Sequence, residues 1–195
     1  MSYSQTVERL NEYRRQIQSL RQEMRQAQAE VEPQPVEDYR FRALDGEVAL
    51  SELFGGKPDL FVIHNMGKGC PACTLWADGF NGVLPHLENR AAFVVSSPDG
   101  PEAQQALKAA RGWRFRMVSH QGSSFAADMG YRNEAGQWRP GVSVFRKTEQ
   151  GIVRLSDTGF HENDDFCAPF RLFDLLPEGV NGWRPKFDYS EEAAA

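Results

Sequence analysis

No stretch of this chain holds the roughly 18 to 20 consecutive apolar residues that a membrane-crossing helix needs, so no membrane partner is expected. An apolar signal core is missing too. The start, Met1-Ser2-Tyr3-Ser4-Gln5-Thr6, turns charged at Glu8 and Arg9, and a cytoplasmic location is expected. There is no basic surplus: 22 Lys and Arg face 27 Asp and Glu, a formal charge of −5. Neutralising phosphates takes a cationic face, so a nucleic-acid partner is not expected. Gly67, Gly69, Gly79 and Gly82 form no phosphate-cradling fingerprint. Cysteine is scarce, three among 195 residues, and an odd number in a chain without an export signal excludes a disulfide framework. What remains is a globular composition, 41% hydrophobic and 25% charged, enough for one core and an appendage rather than two domains.

Residues 1–35 are the appendage. Leu10, Tyr13, Ile17, Leu20, Met24, Ala27 and Val31 recur at alternating steps of three and four, a heptad seam. The spacing predicts one amphipathic helix from about Ser4 to about Glu30, stopped by Glu32-Pro33-Gln34-Pro35 because proline cannot continue the hydrogen-bond ladder. At 1.5 Å per residue it is about 40 Å long. Such a helix needs a partner surface: either its own domain, or a second subunit in a homodimer through residues 4–31.

Residues 36–183 alternate short strands and helices. Tyr39 to Ala43 and Glu47-Val48-Ala49 flank the turn dipeptide Asp45-Gly46 as a hairpin, and Ser51 to Phe54 is a helical turn. Leu60-Phe61-Val62-Ile63 and Ala92 to Ser96 read as buried strands, with helices from Pro71 toward Asn89 and from Pro101 to Arg111. Then come a strand over Phe115 to Ser119, a short helix over Phe125 to Met129, strands over Gly141 to Phe145 and Ile152 to Leu155, and a helix from Asp164 to Leu176. Strand–helix–strand order implies parallel pairing and the late hairpin adds antiparallel strands, hence an α/β fold with a mixed sheet flanked by helices. Residues 184–195 have few apolar side chains and are expected to form a loose tail.

The chemistry sits in Gly69-Cys70-Pro71-Ala72-Cys73. Cys70 falls where the chain leaves a buried strand and enters a helix, with Pro71 as the first helical residue. Unsatisfied N–H groups and the positive end of the helix dipole favour thiolate there, so Cys70 is the expected nucleophile, and Lys68 adds positive charge. Cys73 lies three positions on, within the reach a disulfide demands, and is the expected resolving thiol. A zinc half-site has the same spacing, and so do two inert cysteines. Cys167 stands alone in the last helix as a small hydrophobe, so no metal and no cofactor are expected.

Other residues compete for roles. His64 ends the strand that feeds the thiol loop and is placed to tune Cys70 or to bind substrate, although a hydrogen-bonded edge histidine is the simpler reading. Asp78 is expected to be exposed or capping rather than a proton acceptor for Cys73. His86 lies about 24 Å along an unbroken helix from Cys70 and reaches it only if the helix breaks at Gly82 or Pro85. Arg139-Pro140-Gly141 opens a strand, where proline is tolerated.

Cys70-Pro71-Ala72-Cys73 at a strand-to-helix junction, with Pro140 ahead of a later strand, resembles the thioredoxin fold. In that superfamily the equivalent proline is cis and packs beside the cysteines, so the resemblance raises the expectation of a cis Arg139–Pro140 bond. Several further runs, in order, are similar to one bacterial family: Leu50 to Gly55, Gly69 to Cys73, Trp76 to Gly82, Leu84 to Leu87, Gly112 to Phe115 and Pro140 to Phe145. That family carries an unknown-function label and is regarded as thioredoxin-like dithiol-disulfide oxidoreductases related to the alkyl hydroperoxide reductase and thiol-specific antioxidant group. The similarity covers about Val36 to Pro177. It implies a thiol-disulfide oxidoreductase acting on a disulfide-containing protein or a small thiol or disulfide, with an electron donor left open. Cys70 and Cys73 are the expected pair, and Lys68, Gly69, Pro71, Pro140, His64 and Trp76 are the candidates for shaping the site or binding substrate. Gly67 and Ile63 depart from peroxiredoxins, which have Thr or Ser and Pro there, and Gly69 departs from thioredoxins, which have Trp. The other class of function is a binding or redox-sensing module that keeps the fold and assembles through its first helix.

Overall fold

The computed structural model describes residues 2–162 and 164–190, which fall into two compact units divided between Pro33 and Gln34. The first unit is the helix α1, Tyr3–Ala29. Ser2 caps it: its hydroxyl accepts the Gln5 N–H at 3.3 Å while the Gln5 side chain accepts the Ser2 N–H at 2.9 Å, a reciprocal box that satisfies two orphan donors. None of its residues is buried, and the apolar seam is open, from 44% exposure at Leu10 to 69% at Met24.

The second unit is built on one eight-stranded sheet. Its strands are β1 (Gln34–Val36), β2 (Arg40–Ala43), β3 (Gly46–Ala49), β4 (Asp59–His64), β5 (Ala92–Ser97), β6 (Arg116–Ser119), β7 (Gly141–Thr148) and β8 (Gly151–Gly159). In space they run β1-β8-β7-β4-β5-β6-β2-β3. β4, β5 and β6 are parallel, joined by α2 (Pro71–Arg90) and α3 (Pro101–Arg111); β7, β8 and β1 add antiparallel strands on one side and the β2–β3 hairpin on the other. The sheet is therefore mixed, as its connections require.

Side-chain alternation along the central strands makes two cores. Leu60 and Val62 of β4 and Val94 of β5 join Phe41, Leu50, Phe54, Phe125 and Phe145 on one face, whereas Ile63 of β4 and Phe93 and Val95 of β5 pack with Cys73, Trp76, Ala77, Leu84 and Phe115 on the other. The second face is the one α2 covers. Pro85 lies inside α2 and has no N–H to give the Asn81 carbonyl; the Arg114 guanidinium donates to that carbonyl instead, at 3.0 Å, and the helix runs on. Among the described residues no helix is long and apolar enough to cross a membrane.

Several details differ from the sequence expectation. β1 was not foreseen: its Pro35 pairs with Val153 on the sheet's edge, where a missing N–H is tolerated. The short helix α4 covers Phe125–Asp128, and the last helix is α5, Ala168–Phe173, not Asp164 to Leu176. Pro169 sets its start, since the residue before a proline is disfavoured deeper in a helix, and Asp164 instead holds a turn by accepting the His161 and Phe166 N–H groups at 2.8 Å each. Cys167 is thus the N-cap residue just ahead of α5, with no side-chain hydrogen bond into its first turn, rather than a residue within the helix. The Arg139–Pro140 bond is trans, since no described bond is cis, which corrects the expectation drawn from the thioredoxin resemblance. In the tail, residues 184–190 form no regular element but carry contacts: Arg111 donates to the Phe187 carbonyl at 3.0 Å, and Tyr189 stacks on Trp183. Residues 191–195 lie outside the described residues.

Candidate dithiol site

After β4 the chain turns through Asn65 to Gly69 before entering α2. The Asn65 carboxamide oxygen accepts the Gly67 N–H at 2.8 Å, Gly67 takes φ +102, and its carbonyl accepts the Cys70 N–H at 3.1 Å. A side chain at Gly67 would meet the Asp99 carboxylate at 3.1 Å as well as needing a left-handed backbone, so this position requires glycine twice over. Asp99, from the loop after β5, accepts the Lys68 N–H at 2.7 Å and ties the thiol loop to its neighbour.

Cys70 is the N-cap of α2 and Pro71 its first residue. Its sulfur accepts the Cys73 N–H at 3.1 Å, and Cys70 is half-buried while Cys73 is buried. The two thiols are held at unequal acidity. Cys70 is lowered from 9.0 to about 7, mainly because the Cys73 thiol donates to its sulfur, with the Cys73 and Ala72 N–H groups adding to this and burial opposing it. Cys73 is raised, by that same hydrogen bond to Cys70, then by burial and by the charge on Cys70; against this its sulfur accepts the Met66 N–H at 3.5 Å. Charge therefore gathers on the outer sulfur.

The other candidates divide. Trp76 lies a turn below Cys73 in the same apolar face, against Phe160 at 5.4 Å. Pro140 stands just ahead of Gly141, which pairs with His64, so it flanks the end of β4 from which the thiol loop departs. Lys68 is exposed, and open space lies where a Gly69 side chain would be. His64 is not brought to the thiols. It shares the opposite sheet face with Leu60 and Val62, its ring 3.7 Å from that of Tyr131, and its Nε2 pairs with the Ser143 hydroxyl at 2.9 Å. Burial, then the neighbouring His120 and Arg154, push it well below its ordinary value, so it is a neutral core histidine. Asp78 accepts from Trp113 Nε1 at 2.7 Å and from Arg111, and so acts as a structural anchor. α2 does not break at Gly82 or Pro85, which keeps His86 far from Cys70. Cys167 is buried among aromatics, its thiol pushed up to about 11 by burial and then by Asp164. Among the described residues no three His, Cys, Asp or Glu side chains are grouped to hold a metal ion.

Residues 4–191 match a family described as bacterial protein of unknown function, DUF899. The chain belongs to that family. Solved structures place this DUF899 chain beside the peroxiredoxins in fold. The peroxidoxin BcpB of Mycobacterium tuberculosis is 20% identical, with a TM-score of 0.56 over 65% of this chain and 84% of that one. PrxQ of Xylella fastidiosa is 12% identical, with 0.54 over 67% and 83%. The bacterioferritin comigratory protein of Xanthomonas campestris, described for its alkyl peroxide reduction, is 18% identical, with 0.50 over 67% and 87%. No curated protein matches.

Sequence reasoning missed Asn65, Asp99 and Gly141. An Asn two residues before a glycine is a turn signal in hindsight, whereas Asp99 and Gly141 act through partners distant in the chain. Space for a Gly141 side chain is taken by the Tyr131 ring and by the Thr158 carbonyl, 2.5 Å from where a Cβ would stand.

Proposed function

We propose that this DUF899 chain is a thiol-disulfide oxidoreductase in which Cys70 attacks and Cys73 resolves. The observation that carries it is the hydrogen-bonded pair at the start of α2, with the outer thiol lowered to about 7 and the inner one raised. The Cys70 thiolate attacks one sulfur of a substrate disulfide; a Cys70–substrate disulfide forms and the other half leaves as a thiolate. Bonding removes the charge from Cys70 and ends its demand on the Cys73 proton, so two of the three causes that raise Cys73 are relieved when it must act, and only burial remains. Cys73 then gives up its proton and attacks Cys70, closing the Cys70–Cys73 disulfide and releasing the second thiolate. The substrate gains two electrons and the dithiol loses them; an external thiol donor returns them.

The substrate is a disulfide-bearing protein or a small disulfide rather than a peroxide, because Gly67 and Ile63 offer no hydroxyl or proline to position one. A cytoplasmic setting suits a pair that must be reduced again after each cycle. The seam on α1 fits a homodimer, since a heptad face is complementary to a second copy of itself.

The test is turnover together with trapping. Cys70→Ser should abolish reduction of a generic disulfide, and Cys73→Ser should accumulate a mixed disulfide on Cys70 visible by mass. Full turnover by Cys70→Ser, or rapid consumption of alkyl peroxide with no reaction on disulfides, overturns the reading. Unaltered redox inertness in the parent chain favours the binding-module alternative.

A further inference from the structure

A second feature opens at the same edge of the sheet as the dithiol. The carboxyl ends of β4, β5 and β6 lie side by side there, the usual place for a ligand crevice in a parallel sheet. A cavity of about 480 Å³ is walled by Pro98, His120, Gln121, Ser123, Arg132 and Trp138, among others. The chain ties it to the thiol loop: Pro98 on its wall is followed by Asp99, whose carboxylate holds the Lys68 N–H.

The lining is suited to one kind of chemistry. Arg132 and Trp138 face each other across a small closed loop, paired as an isolated bridge and braced by the Asn133 carboxamide oxygen, which accepts the Gln137 N–H at 2.8 Å. The Arg132 guanidinium lies 4.7 Å from the Trp138 ring centre, and no carboxylate among the described residues pairs with it. Trp138 in turn sits 4.9 Å from the ring of His120. His120 is only 2% exposed; its Nδ1 pairs with the Ser96 hydroxyl at 2.8 Å, and its Nε2 has no partner. In the tautomer that places the proton on Nε2, with Nδ1 accepting from the Ser96 hydroxyl, Nε2 is a buried donor without an acceptor, an arrangement that is costly unless something supplies one. Burial, with Arg132 adding to it, lowers His120 to about 4, which keeps that ring neutral. Asp128, the carboxylate nearest in sequence to Ser123 and Ser124, is occupied by the Ser124 and Tyr39 hydroxyls.

We infer that this cavity receives a carboxylate of the substrate, with Arg132 as its counter-charge and His120 Nε2 as a second donor, so that small acidic disulfides are preferred. The inference rests on the dithiol reading for its reaction but not for its binding. Trp138 lies between the two donors, 4.7 Å from the Arg132 guanidinium and 4.9 Å from the His120 ring.

Two measurements on the full chain separate these layers. In the first, reduction rates are compared for 3,3′-dithiodipropionate, which is dianionic, 2-hydroxyethyl disulfide, which is neutral, and cystamine, which is dicationic. The dianion should react about tenfold or more faster than the neutral disulfide and cystamine slowest. Arg132→Ala should remove the dianion's advantage over the neutral disulfide, and Arg132→Lys should restore part of it. In the second, adipate, a dicarboxylate with no sulfur, is titrated by calorimetry and should bind the parent chain and not Arg132→Ala. Adipate binding without reduction of any disulfide would sink the dithiol reading and leave the cavity assignment standing. Equal rates for the three disulfides, or adipate binding that survives Arg132→Ala, would overturn the cavity assignment.

Discussion

Two sulfurs three positions apart differ because one ends a loop and the other enters a core. Cys70 takes hydrogen bonds from its own helix start, and Cys73 is packed beside Trp76 and Ile63. Alkylation of Cys70 should therefore rise with pH about a midpoint near 7, and Cys73→Ala, which deletes the first of the stabilising donors, should shift that midpoint upward toward 9.0. A rate profile indifferent to Cys73→Ala would contradict this cause. Gly141 provides a second test at this scale. Any side chain there meets the Thr158 carbonyl and the Tyr131 ring, and Tyr131 is itself fixed by donating to the Val142 and Thr158 carbonyls at 3.0 and 3.1 Å. Gly141→Ala should cost about 3 kcal/mol or leave the chain unfolded, read from urea unfolding or from expression in insoluble form. Unchanged stability would mean that the β7 backbone yields at no cost.

At the scale of elements, α1 and α2 make contrasting cases. α2 was legible from end to end because Pro71 marks its start and apolar residues line one face. That it runs unbroken through Pro85 was not legible, since the rescue comes from Arg114, a residue far along the chain. α5 was overread because the apolar run Phe166 to Leu176 suggests a longer helix than Pro169 permits. The dithiol itself stood out as a local motif, whereas His64 and His120 could not be assigned a side, because that depends on strand register and on which face α2 covers. The cavity was invisible for the same reason: it draws on the loops after β5 and β6 and on the hairpin at Arg132 to Trp138. α1 carries its own prediction. With Leu10, Ile17, Leu20 and Met24 open along a 27-residue helix, light scattering should return a dimer mass, and Ile17→Glu with Leu20→Glu should return a monomer. A monomer mass for the unaltered chain contradicts the pairing.

For the whole molecule, the buried histidines make stability depend on pH. His120 is lowered to about 4 and His64 is lowered well below its ordinary 6.5, both chiefly by burial. Below pH 6.5 the unfolded chain binds protons that the folded chain refuses, so their contribution to stability is present above that value and lost as pH falls toward 4. The urea midpoint at pH 5 should lie clearly below that at pH 7.5, and equal midpoints would show the imidazoles to be less buried than described. The fold is shared with peroxiredoxins of 12 to 20% identity, and at that distance likeness of fold does not carry chemistry with it. The chemistry rests on the pair at the head of α2. A redox titration against a thiol buffer, followed by alkylation of remaining thiols and peptide mass analysis, addresses it most directly. The proposal predicts one reversible two-electron transition that links Cys70 to Cys73 and leaves Cys167 free; no reversible disulfide, or one that includes Cys167, would contradict it.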